Sequence, residues 1–114
     1  MRKIKSRTDI VKANAERLRK ELRLDARYPF ASLFFETPMG VMHYVDEGAG
    51  DVVLALHGNP TWSFLYRDFI AELSKSHRVI APDHIGFGLS EKPRDEALYS
   101  IDGHIRSLEA LVTG

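Results

Sequence analysis

A chain of 114 residues has room for one small domain, and folding would bury roughly two-thirds of its extended surface. Lys+Arg and Asp+Glu both total 16, so the formal net charge is zero, which argues against nucleic acid or an anionic membrane as the main partner. Without cysteine there is neither a disulfide framework nor a thiolate metal site, in keeping with a reducing cytoplasm. Residues 1–27 are basic, as the start of a secretory leader would be. Thr8, Asp9, Lys12, Asn14 and Glu16 interrupt any apolar block there. No stretch approaches the ~20 apolar residues of a membrane helix. A cytoplasmic protein with no membrane or nucleic-acid partner is expected.

Thr8 or Asp9 is placed to cap a helix running to about Leu24, with Ile10, Val11, Leu18 and Leu22 near the helical period. Tyr28-Pro29 breaks it. Phe30 to Glu36 reads as a strand, Pro38-Met39-Gly40 as a turn and Val41 to Val45 as a second strand, giving an antiparallel hairpin. Val52 to Leu56 is an unbroken apolar run, expected to be a buried strand that stops at Gly58 and Pro60. Trp62 to about Lys75 has helical spacing, with Phe64, Leu65, Phe69, Ile70 and Leu73 on one side. Arg78 to Ala81 is a short strand, and Pro82 to Pro93 a structured loop. A last helix begins near Ser100, with Ile101, Ile105, Leu108, Leu111 and Val112 as its apolar side. Strands alternating with helices in the latter half predict an α/β fold with parallel strands and crossover helices.

Ligands of such sheets bind beyond the carboxyl ends of the strands, where His57-Gly58-Asn59-Pro60 falls. Gly58 has no Cβ, so backbone can approach a ligand closely, and the Asn59 amide donates without carrying charge. Fixed donors around developing negative charge are a usual form of electrostatic catalysis. Equally, Gly58 and Pro60 can simply shape a turn, with Asn59 bonding local backbone. His57 at a strand end is expected to hold loop backbone rather than act as a base. Asp83 is expected to lock its turn by accepting backbone N–H groups. Gly86-Phe87-Gly88 lacks the rest of a dinucleotide fingerprint. Ser63 and Ser90 lie outside a G-x-S-x-G elbow, so neither is taken as a nucleophile. The histidines form no close pair of metal ligands, and no metal site is predicted.

Leu54 to Arg67, reading LALHGNPTWSFLYR, resembles the oxyanion-hole region of the α/β-hydrolase superfamily. Its His-Gly-Asn-Pro form is similar to the haloalkane dehalogenase branch. Val79 to Pro93 resembles that branch's next landmark, and His43 to Gly48 its second strand. Trp62 and Asp83-His84-Ile85-Gly86 also resemble dehalogenase-like β-lactone decarboxylases. The likeness spans roughly residues 30–114. It implies a sheet order 1-2-4-3-5-6-7-8 and an Asp nucleophile that displaces halide to form an ester. A His-activated water then hydrolyses the ester. The residue matching Asn59 is the halide and oxyanion donor, and Gly58, Pro60 and Trp62 join it as substrate-binding residues. His57, Asp83, Gly86 and Gly88 are assigned to loop structure, and no cofactor is implied.

In the family the nucleophile, acid and catalytic His come later than the position matching Gly114. The expected organisation is therefore a basic helical segment, 1–27, and a partial α/β-hydrolase domain, 28–114, truncated before the nucleophile elbow. This polypeptide alone is predicted to be inactive, with no dehalogenase turnover. Its third strand is expected to be a bare apolar edge that promotes self-association. The substrate of the full-length enzyme is expected to be small and apolar. The alternatives are a β-lactone decarboxylase or epoxide hydrolase of the same superfamily, or a non-catalytic remnant that depends on a partner.

Overall fold

The structure is a computed structural model and describes residues 6–58, 61–95 and 99–114. The first helix, α1 (Arg7–Glu21), is capped by Ser6 rather than by Thr8 or Asp9. Ser6 Oγ accepts the Asp9 N–H at 3.1 Å, and the Asp9 carboxylate accepts the Ser6 N–H at 3.3 Å. This reciprocal capping box satisfies two end donors together, which a cap at Thr8 would leave open. The helix stops before Leu24 because Arg23 adopts a left-handed conformation, φ 52°, and a 3₁₀ turn, Leu24–Ala26, follows. Hydrogen bonds help dock α1: Thr8 Oγ1 donates to Glu36 at 2.5 Å, Arg19 Nη2 to the Tyr28 carbonyl at 2.7 Å and Arg19 Nη1 to Ser32 Oγ at 3.2 Å.

Four strands follow: β1 (Leu33–Thr37), β2 (Gly40–Glu47), β3 (Val52–Leu54) and β4 (Arg78–Pro82), ordered β1-β2-β4-β3. β1 and β2 form the expected antiparallel hairpin, with Phe35 opposite Met42. β4 lies antiparallel to β2 and parallel to β3, so the chain crosses over between β3 and β4 through helix α2 (Arg67–Leu73). This mixed sheet with crossover helices is the α/β architecture read from the sequence. No helix among the described residues is long and apolar enough to cross a membrane.

β3 is the bare apolar edge that the resemblance implies, rather than the buried strand that its apolar run alone suggests. Regular pairing ends at Leu54, and Val52 is 58% exposed. The cause is position: β3 is the sheet edge with a strand on one side only, so its apolar run lacks the cover that a central strand receives. The helix expected from Trp62 also starts differently. Trp62 is fully extended, and the Ser63 N–H is taken by Asp83 Oδ1 at 2.7 Å. A 3₁₀ turn, Ser63–Tyr66, therefore precedes α2.

The last helix, α3 (Ile101–Thr113), begins where predicted, with Ser100 Oγ accepting the Gly103 N–H at 3.0 Å. Its orientation does not match the predicted apolar side. Gly103 and Ser107 are buried, while Ile101, Ile105 and Val112 are exposed. The small residues let the helix settle closely, and it packs against β1, at the other edge of the sheet from β3. Leu111 and Val112 share a cavity with Val52 and Leu54; Ile101, Ile105 and Leu108 share another with Leu56. The core forms around Tyr28, Phe30, Val45, Ala55, Ile70, Val79 and Ala81, with Trp62 and Phe64 packed against it.

Candidate functional site

The loops after β3 and β4 meet at the carboxyl ends of those strands and are pinned to each other by His57. The His84 backbone N–H donates to His57 Nε2 at 2.9 Å. Nε2 must therefore carry the lone pair, and Nδ1 carries the proton that it donates to the Gly58 carbonyl at 2.7 Å. Both nitrogens of this neutral ring are engaged in holding backbone.

A second tie fixes the far end of the first loop. Asp83, fully buried, accepts the Ser63 N–H at 2.7 Å, the Leu89 N–H at 3.0 Å and His43 Nδ1–H at 2.9 Å. Burial works to raise its pKa. The bond and charge of His43 and the two backbone donors outweigh it, holding the carboxyl below the usual range. Tyr28 adds a hydroxyl contact to Ser63 Oγ. Ser90 Oγ donates to the Asp83 carbonyl at 2.7 Å and accepts the His43 N–H at 2.8 Å. His57 and Ser63 are thus each tied to the loop after β4. Asn59 and Pro60, the proposed donor and its neighbour, lie outside the described residues.

The glycines divide by cause. Gly88 has φ +53°, and a Cβ there would sit 2.5 Å from Asp83 Oδ2. Gly86 has φ +92°, and a Cβ would overlap the Tyr99 ring. The fold demands glycine at both places. At Gly58 a Cβ would meet nothing within 4 Å among the described residues, and the residue is exposed.

Gly58 opens onto a cavity of about 410 Å³, a size suited to a small ligand, walled by Leu56, His57, His84, Phe87 and Ile105. Trp62 does not line it. The indole stacks on Phe64 with ring centroids 5.3 Å apart and tilts against Tyr28, which packs it half-buried against the core. A row of imidazoles was not foreseen from the sequence: His57 and His84 centroids are 4.4 Å apart, His84 and His104 5.2 Å. Nδ1 of His84 and of His104 are buried without a hydrogen-bond partner among the described residues. Burial first, and then neighbouring histidines, lower both pKa values, favouring neutral rings. The His43–Asp83 pair was also missed. It was available from alternation along β2, which places His43 on one face with the buried Val41 and Val45.

A family model described as the alpha/beta hydrolase fold matches residues 51–113, more than half of the chain. The chain belongs to that family. Among curated relatives, this α/β-hydrolase chain is 53% identical over 85 residues to Haloalkane dehalogenase 2 of Mycobacterium bovis, covering 75% of the chain and 29% of the relative. It is 44% identical over 90 residues to a cis-3-alkyl-4-alkyloxetan-2-one decarboxylase of Shewanella oneidensis, covering 78% of the chain and 28% of that protein. The tetrameric haloalkane dehalogenase DpaA of Paraglaciecola agarilytica NO2 superposes with a TM-score of 0.75 at 34% identity, over 83% of the chain and 34% of DpaA. The α/β-hydrolase chain therefore spans about a third or less of the length of these proteins.

Proposed function

We propose that this chain provides the anion-stabilising corner of a haloalkane dehalogenase-like hydrolase acting on small apolar substrates. Carbon–halogen cleavage would pass through an ester on an Asp nucleophile contributed by polypeptide beyond these residues. Asn59 is the donor to halide and, through its backbone N–H, to the ester oxyanion. Gly58 is the observation that carries this reading. Neither backbone strain nor packing among the described residues requires glycine there, unlike at Gly86 and Gly88, so its bare backbone is explained by a ligand approaching across the cavity. His57 holds Gly58 and Asp83 holds Ser63 before any substrate arrives, and donors fixed in advance are what electrostatic catalysis requires. The 53% identity to Haloalkane dehalogenase 2 favours halide as the leaving group.

The 44% identity to the oxetanone decarboxylase supports a second reading, loss of carbon dioxide from a β-lactone. One assay decides between them. The protein carrying this segment together with its nucleophile-bearing portion is given 1,2-dibromoethane or a β-lactone, and bromide and alkene are measured. Bromide release supports the first reading and alkene release the second. Neither product means that the segment serves a non-catalytic protein.

A further inference from the structure

Asp83 does more than clamp the loop. Through His43 it reaches Ser32, which lines a separate cavity beneath α1. His43 Nδ1 is 2.9 Å from Asp83 Oδ2, and His43 Nε2 is 2.8 Å from Ser32 Oγ. His43 and Asp83 are fully buried, and Ser32 is half-buried. We propose that Ser32, His43 and Asp83 form a second nucleophilic site, opening on a different cavity from that at Gly58, that cleaves small esters with short acyl chains.

The proton positions follow from chemistry. An ionised Asp83 only accepts, so Nδ1 of His43 carries a proton and donates to it. The neutral ring then presents the Nε2 lone pair to Ser32, whose O–H must donate. Arg19 Nη1 donates to the same Ser32 oxygen at 3.2 Å. The chain of donors runs Arg19 to Ser32 to His43 to Asp83 without conflict. It has the connectivity of an activated serine: nucleophile on base, base on a buried carboxylate. Ser32 opens onto a cavity of about 400 Å³ walled by Phe30, Phe34, Lys12 and Arg19. Arg19 is itself held by the Tyr28 carbonyl at 2.7 Å and by Asp25 at 3.1 Å, so a fixed cation stands where an ester oxyanion would develop.

Attack forms the Oγ–C bond while the hydroxyl proton passes to His43 Nε2. Collapse of the tetrahedral adduct breaks the bond to the leaving alcohol, which takes that proton. Water then attacks the acyl-serine, gives its proton to Nε2, and Ser32 recovers it as the carboxylic acid departs. The balance is ester plus water to acid plus alcohol, with no other reactant.

The test uses the 114-residue chain with a fluorophosphonate probe and p-nitrophenyl acetate. A single adduct mapping to Ser32 is expected, together with an esterase rate about 10²-fold above that of Ser32→Ala, the lower end of what a positioned base contributes. Lack of an adduct on the native chain, or labelling that persists in Ser32→Ala, overturns the proposal. Should Ser32→Ala lose its helical circular dichroism, Ser32→Cys replaces it. Its thiol should react with iodoacetamide about tenfold faster at pH 7 than a free peptide thiol, as a His-paired thiolate does. An unaccelerated thiol overturns the proposal equally. None of these readouts involves halide, so they stand apart from the dehalogenase assay.

Discussion

Replacing Asp83 with alanine tests the clamp most severely. The side chain serves three buried donors: the Ser63 N–H at 2.7 Å, the Leu89 N–H at 3.0 Å and His43 Nδ1–H at 2.9 Å. A buried donor left unsatisfied costs roughly 1–3 kcal/mol, and the two backbone donors cannot turn away. Three stranded donors at that cost set a floor of about 3 kcal/mol. The expected loss is therefore at least about 3 kcal/mol, a large part of the roughly 5–15 kcal/mol that holds a small domain together. Urea unfolding followed by fluorescence measures it directly, because Trp62 is the single tryptophan and would contact any side chain placed at Gly88. Asp83→Asn should fall between, since its oxygen still accepts while its amide faces His43. A loss below about 1 kcal/mol in Asp83→Ala would refute the reasoning, because it would mean that the three donors find other acceptors at little cost.

Stability should fall with acid in two stages, read by unfolding at a series of pH values. His84 and His104 have depressed folded pKa values, so the unfolded chain binds protons first and stability drops as pH falls below about 6.5. Asp83, also depressed when folded, contributes fully above about pH 3.9 and loses its contribution as pH drops through its lower folded value. Gly58→Ala should leave the unfolding midpoint within the equivalent of about 0.5 kcal/mol, as for a surface change, yet reduce turnover in the complete enzyme. Gly88→Ala should lose at least about 1–2 kcal/mol from its left-handed backbone alone, measured in the same urea experiment. Asn59→Ala should lower kcat of the complete dehalogenase about 10²–10³-fold, as loss of an oxyanion donor does. Val52→Lys with Leu54→Lys should shift sedimentation toward monomer if the β3 edge drives self-association.

Local patterning carried much of the architecture. Alternation and the Pro38-Met39-Gly40 turn gave the β1–β2 hairpin, and Ser100 marked the start of α3. Misreadings arose where a partner distant in sequence decides. The apolar run Val52 to Leu56 by itself reads as buried; the bare edge followed only from the sheet order that the resemblance implies, and β3 has a neighbour on one side alone. The α2 start moved because an Asp83 oxygen from the next loop captures the Ser63 N–H. Trp62 packs on Tyr28 and Phe64, contacts that no motif encodes. Alternation along β2 put His43 on a buried face but did not name its partner; the pairing of β2 with β4 brings Asp83 to it.

The order β1-β2-β4-β3 also sets a timetable for biosynthesis. The hairpin can close as soon as Glu47 leaves the ribosome, but Val52–Leu54 must wait, since its partner is the later strand Arg78–Pro82. At 5–20 residues per second that interval lasts on the order of seconds. Throughout it an apolar strand stands unpaired beside a finished hairpin, long enough for a chaperone to find it before its partner emerges.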